Sequence, residues 1–313
     1  MLVGIDVGGT NLKAGLVSKD GQMLAVEKWP VTPFEKSEDF VAQLVDLCRI
    51  VCAKQGVDPA TLDYVGMGIP GAVKAGEITY TCNLPLQGVA VEALFRKEID
   101  VPVLLENDAN CAAVGEYLLG AGRGTTDFTI ITLGTGVGGG FIVGGKLYSG
   151  GGMVGEVGHM VIEKDGAPCG CGRHGCWETY SSATGLIRLT KEAMAAHPDS
   201  ALHTVAQEQG GVSGRTAFDT ALTGDAVAVA LCNTYVEYLA CGAANLCSIL
   251  QPEVLAVGGG VADAPAHLLM EPLAKMVESS CYAANVGTPT RVVKAQLGND
   301  AGILGAALLK QVL

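Results

Sequence analysis

The stretch APCGCGRHGCWE, residues 167–178, carries three cysteines within eight positions. Thiols this close together, separated by glycines that bury little, suit a tetrahedral metal ion far better than a packed core. Cys169, Cys171 and Cys176 supply three of the four ligands that a structural zinc site takes, and the fourth must be near. His174 lies inside the loop and His159 lies ten positions before Cys169. The other eight cysteines, Cys48, Cys52, Cys82, Cys111, Cys232, Cys241, Cys247 and Cys281, stand in apolar surroundings such as LVDLCRIVC and LACGAANLC, and are predicted to pack as small hydrophobes.

Three glycine turns form a second group: Asp6-Val7-Gly8-Gly9-Thr10-Asn11, Leu133-Gly134-Thr135-Gly136 and Val257-Gly258-Gly259-Gly260. A strand that ends in such a turn exposes backbone N–H groups that no side chain shields, and these make a concave site for phosphate oxygens. Neither GxxxxGK[ST] nor a GxGxxG followed by an acidic residue about 20 positions on is present. Asn107 and Asp108 close the apolar run VPVLLE and open a helical pattern. From position alone Asp108 reads as a helix cap, although a carboxylate there also suits proton transfer from a hydroxyl. Lys13 reads either as a phosphate contact or as a solvated strand lysine.

The elements that must position these residues alternate strand and helix. The opening MLVGIDVGGTNLKAGLVSKDGQMLAVEKWPV predicts three antiparallel strands with a hairpin at Asp20-Gly21, and Asp127 to Gly150 repeats that plan. Between the copies lie a helix near 37–55, a strand in YVGMGIP, a helix near 88–99 and the strand VPVLLE. Residues 180–250 read as largely helical, VLAVGGGV as a strand, and NDAGILGAALLKQVL as a helix starting at an Asn/Asp cap. The class is α/β, with sheets covered by helices.

With 313 residues, 49% hydrophobic and 17% charged, two domains are expected. A net charge of −12 without a Lys/Arg run excludes nucleic acid as a partner. No secretory pattern follows Met1 and no apolar run was expected to approach the ~20 residues of a membrane span, so a soluble, cytoplasmic chain is expected.

In order along the chain, DxGGT, LGTGxGG and GGG resemble the nucleotide-binding segments of the actin, hexokinase and Hsp70 superfamily. More narrowly, GIPGAV, ENDANCAAVGE, GEVGHM and CGCGRHGCWE resemble, over nearly the whole chain, the ROK family of bacterial sugar kinases and sugar-responsive repressors. The resemblance implies a two-domain actin-like ATPase (ribonuclease H-like) fold with an interdomain cleft and a structural zinc loop. The implied domains are 1–115 plus 301–313, and 116–300. It implies a transferase of glycolysis, a homodimer or higher oligomer, that moves the γ-phosphoryl group of ATP to the 6-hydroxyl of a hexose. ETYSSATGLIR reads most like the glucose-phosphorylating branch, with N-acetylglucosamine, N-acetylmannosamine, mannose or allose as alternative acceptors.

Residue by residue, the resemblance makes Asp108 the catalytic base and adds Asn107, Glu156, His159 and Glu178 as sugar contacts. Asn83 either joins them or is an ordinary turn asparagine. Asp6 would hold Mg²⁺, while Gly8, Gly9, Thr10, Asn11, Gly134, Thr135, Gly136, Gly258, Gly259 and Gly260 would surround the nucleotide. The same likeness selects His159 over His174 as the fourth zinc ligand beside Cys169, Cys171 and Cys176. The family's repressors carry a DNA-binding segment before DxGGT, which here begins at residue 6, and a sugar-sensing regulator is the remote alternative.

Overall fold

The computed structural model describes residues 1–8, 10–81, 84–282, 287 and 289–313. Gly9, Cys82 and Asn83, singled out above, lie outside the described residues. In chain order the elements are β1 (Leu2–Val7), β2 (Asn11–Val17), β3 (Met23–Pro30), α1 (Ser37–Ala53), β4 (Tyr64–Ile69), β5 (Ala72–Lys74), β6 (Glu77–Tyr80), α2 (Val91–Arg96), β7 (Val103–Asn107) and α3 (Asp108–Leu119). They continue with β8 (Phe128–Leu133), β9 (Val137–Val143), β10 (Lys146–Leu147), α4 (Glu178–Ser181), α5 (Ala183–Ala196), α6 (Leu202–Glu208), α7 (Thr216–Ala221), α8 (Ala226–Leu250), β11 (Val254–Gly258), α9 (Met270–Ser280), β12 (Arg291–Lys294) and α10 (Ala301–Leu308).

Two mixed sheets follow one plan, β3-β2-β1-β4-β7 and β10-β9-β8-β11-β12. In the first, β1, β2 and β3 pair antiparallel, then β4 and β7 add in parallel. The repeat read from the sequence is therefore present, with a third strand of only two residues in the second copy. By compactness the chain forms one unit of Met1–Thr126, Gly140–Gly155 and Gln296–Leu313, and another of Asp127–Gly139 and Glu156–Ala295.

In the first unit the odd-numbered residues of β1, Val3, Ile5 and Val7, join one core with Phe40, Leu44, Leu47, Cys48 and Val51 of α1. The opposite face carries a row of glycines: Gly15, Gly4 and Gly66 are register partners on β2, β1 and β4. A Cβ at Gly4 or Gly66 would enter the α10 backbone at Ile303 or Ala306. The row is a groove that lets α10 lie directly on the sheet, and α10 in turn packs on α3, whose first residue is Asp108.

The fully buried Glu116 closes this arrangement. Its Oε1 accepts from the backbone N–H groups of Gln296 (2.8 Å) and Leu297 (2.6 Å), and Oε2 from that of Ala121 (2.9 Å). Glu116→Ala strands three donors, so unfolding free energy should fall by about 3 kcal/mol or more. Chemical denaturation measures this directly; a loss below about 1 kcal/mol would mean that water replaces the carboxylate.

Several expectations need correction. Helix α8 runs for 25 residues and is long and apolar enough, by length and composition, to cross a membrane. Half of its most apolar window is buried, and Asn233, Thr234, Glu237, Asn245 and Ser248 occupy exposed positions. A core helix of a folded domain accounts for that pattern. Cys241 is exposed on this helix rather than packed, and Cys281 is half-exposed. The helix near 88–99 contracts to Val91–Arg96, and α10 begins after a 3₁₀ turn without a side-chain cap bond.

Candidate active site and metal cluster

In the first unit, Asp6 near the end of β1 is the register partner of Gly68 on β4, which is the partner of Glu106 on β7. The polar residues thus gather at the carboxyl ends of parallel strands, where open α/β sheets present their ligand sites. Lys13, the partner of Asp6 on β2, sets its Nζ 3.1 Å from Asp6 Oδ2, with side-chain exposures of only 23% and 18%. It is the counter-charge of Asp6, not a solvated lysine. Gly302 at the start of α10 brings backbone against the same carboxylate, since a Cβ there would stand 3.0 Å from Asp6 Cγ. The Gly8 N–H donates to Asn11 O (2.8 Å), and Asn11 Nδ2 to Thr10 Oγ1 (2.9 Å), which closes the first glycine turn.

At the end of β7 it is Asn107, not Asp108, that caps α3. Asn107 Oδ1 accepts from the N–H groups of Ala109 (2.9 Å) and Asn110 (3.2 Å), while its Nδ2 donates to Gly71 O (3.1 Å). The Ala109 N–H also reaches Asp108 Oδ1 at 2.9 Å. Glu106, missed by sequence reasoning, braces the segment: its buried Oε1 accepts from Asn107 N and Asn110 Nδ2, both at 2.9 Å. Burial, followed by the charges of Glu106, Asp6 and Asp108, raises the Cys111 thiol well above its ordinary range. Three carboxylates therefore bear on one small region.

In the second unit, the Gly134–Gly136 turn follows β8 and the Gly258–Gly260 turn closes neighbouring parallel β11. Gly259 takes φ +86°, and its α-carbon lies so close to the Leu133 backbone that no Cβ fits. Beside Gly260 lies a cavity of about 350 Å³ lined also by Arg215, Phe218 and Asp219 of α7 and its approach. The larger cavity of about 450 Å³ belongs to the first unit, between Glu77 and Arg96, and none of the described residues singled out above lines it. Glu178, the first residue of α4, accepts from the Val137 N–H through Oε2 at 3.1 Å. Glu156 is exposed just before the 3₁₀ turn Val157–His159.

The ligand atoms of His159, Cys169, Cys171 and Cys176 all lie within 4.8 Å of one another. Cys169 Sγ stands 3.6 Å from His159 Nδ1, and Cys171 Sγ 3.7 Å from Cys176 Sγ. A tetrahedron with Zn–S near 2.3 Å and Zn–N near 2.0–2.1 Å has edges of about 3.6 Å between N and S and about 3.8 Å between sulfurs. The donor set suits zinc in its chemistry, and these two separations match two edges of such a tetrahedron. Arg173 donates to the His159 carbonyl, and its own carbonyl accepts from Cys169 N at 2.8 Å. Its backbone N–H, and then its guanidinium, help hold the Cys171 thiol at about 6, whereas burial and the bond to Cys171 push Cys176 up to about 12. His174 is exposed and outside the cluster.

These features define an α/β protein with two mixed sheets and glycine turns at strand ends. Residues 2–312 match the ROK family, and the chain belongs to it. The glucokinase of Halalkalibacterium halodurans is 36% identical, over 99% of this chain and 94% of that one. A ROK family glucokinase from Streptomyces griseus, solved in complex with glucose and AMPPNP, superposes with a TM-score of 0.82 at 34% identity, covering 98% of this chain and 97% of the other. The ROK hexokinase of Thermus thermophilus gives 0.83 at 32% identity, over 98% and 97%.

Proposed function

We propose that this chain is an ATP-dependent hexose kinase that transfers the γ-phosphoryl group of ATP to the 6-hydroxyl of glucose. The observation that carries the reading is the division of labour at the start of α3. Asn107 is the cap of α3, so the helix does not depend on Asp108 for that role, and the Asp108 carboxylate stands at the strand end where the family resemblance places the base. The full-length likeness to glucokinases supports the same assignment.

In this reading Asp108 orients the acceptor hydroxyl and takes its proton as attack on phosphorus proceeds. Asn107, Glu156, His159 and Glu178 hold the remaining hydroxyls; their mixture of donors and acceptors rejects a ring that leaves one of them unpaired. The backbone N–H groups of the first two glycine turns receive phosphates, and the cavity beside Gly260 takes the base. Mg²⁺ would be held by Asp6 and would supply charge compensation at the phosphates. Zinc would be held by His159, Cys169, Cys171 and Cys176 and would serve architecture, while His159, whose Nδ1 faces Cys169, would offer its other ring nitrogen to a sugar hydroxyl. The actin-like two-domain fold, with 1–115 plus 301–313 and 116–300 as its domains, belongs to the proposal, as do homodimeric assembly and a cytoplasmic role in glycolysis.

A coupled assay over glucose, mannose, allose, N-acetylglucosamine and N-acetylmannosamine tests the acceptor. Glucose should lead in kcat/KM by at least about tenfold, or about 1.4 kcal/mol of transition-state preference. If an N-acetyl sugar leads, the kinase reading stands and glucose is the wrong acceptor.

A further inference from the structure

We infer that Glu178 couples the acceptor site to the second phosphate turn. The carboxylate that the proposed function assigns to sugar hydroxyls also sets the shape of Gly134–Val137, so hexose and nucleotide bind cooperatively through it. The inference rests on that kinase reading.

Glu178 Oε2 accepts the Val137 N–H at 3.1 Å. At the other end of the turn, Gly134 O accepts from Ala183 N at 2.9 Å, and Gly134 N donates to Gly136 O at 3.0 Å. The turn is therefore held at one end by the first residue of α4 and at the other by the first residue of α5, with the extended Ser182 joining the two helices and Thr135 exposed at the tip of the turn. Gly136 lies against the carboxylate: a Cβ there would run into Oε2 and stand 3.0 Å from Cδ. Gly158, next to His159, backs onto the same pair, with room for no more than hydrogen against Val137 and the Glu178 Cβ.

A carboxylate has two acceptor oxygens, and a charged acceptor makes the stronger kind of hydrogen bond. With Oε2 on Val137, a sugar hydroxyl on Oε1 fixes the carboxylate plane and so stiffens the turn. Linkage then requires each ligand to tighten the other by the same factor.

Calorimetric titration of the metal-loaded chain with Mg·AMPPNP, with and without saturating glucose, and the reverse titration, measure that factor. The wild type should show at least about fivefold tightening in both directions, within the usual range for coupled sites. Glu178→Ala should weaken AMPPNP about fivefold with no sugar present, an effect that a residue contacting sugar alone would not produce. Gly136→Ala, whose φ needs no left-handed conformation, pushes the carboxylate off Val137. It should weaken glucose as well as AMPPNP, and the double variant should bind AMPPNP no worse than the weaker single variant. A wild type that binds AMPPNP and no hexose overturns the acceptor reading and the coupling with it. A wild type that binds both, with Glu178→Ala leaving AMPPNP affinity within twofold or with additive losses in the double variant, overturns the coupling alone.

Discussion

Asp108→Asn is expected to lower kcat by about 10²- to 10⁴-fold, the range typical of losing a general base, while glucose affinity changes far less. The substitution is nearly isosteric and keeps an Oδ1 acceptor for the Ala109 N–H, which Asp108 Oδ1 meets at 2.9 Å. Helix α3 should not suffer, because its cap is Asn107, bonded to Ala109 and Asn110. The fully buried Glu116 likewise stays in place at the far end of the helix. A drop in kcat therefore reports lost proton acceptance and not a loosened fold. The clean comparison is pre-steady-state turnover with ATP and glucose, beside thermal unfolding of both proteins. Near-normal kcat in a variant of unchanged stability would leave Asp108 without a role in proton transfer and would return the site to the nucleotide residues alone.

What the sequence made legible was local. Strands β1 to β4 and β7, β8 and β11 follow from short apolar runs bounded by Gly, Asn and Asp, because period and turn chemistry act within a few residues. The CxC spacing pointed to a metal from within its own loop, while the choice of His159 over His174 came from the family resemblance. Four elements escaped: β5 and β6 are strands of three and four residues, β12 is a four-residue, half-exposed edge strand, and α9 carries Pro272 in its first turn, where proline is tolerated but masks the helical pattern.

Contacts between distant segments were the least legible. Lys13 stayed ambiguous until the β1–β2 register set it opposite Asp6; strand alternation applied to both partners is the signal that could have found it. Nothing near Glu116 in the sequence points to Gln296 and Leu297, some 180 positions away. The cap was misassigned by one residue because Asn and Asp are nearly equal as caps, and only the backbone decides which comes first. Cys241 was read as buried because α8 is apolar overall, although its exposed stripe admits small residues without cost.

Cys171→Ser should abolish zinc binding and most turnover together. The wild-type chain should carry about one zinc, since three thiolates and one imidazole close a tetrahedron. Cys171 is the informative position because it is the exposed member of the cluster, whereas Cys169 and Cys176 are buried. Serine there removes a ligand without opening a cavity, so a lost function traces to the metal. The consequence reaches the sugar contacts through the chain itself. Cys176 is followed by fully buried Trp177 and then Glu178, and His159 is at once a ligand and a neighbour of Glu156. Without the metal, Glu156, His159 and Glu178 lose their common anchor, and kcat/KM for glucose should fall at least about tenfold, the lower end of what disturbed metal surroundings cost. Cys241→Ser supplies the control, an exposed cysteine on α8 outside the cluster, and should keep both zinc and activity. Metal content by atomic emission and turnover, measured on the same preparations, separate the outcomes. A zinc-free Cys171→Ser chain with full turnover would show that the backbone of the loop, through bonds such as Cys169 N to Arg173 O and Gly175 N to Ala167 O, holds the sugar residues without help from a metal.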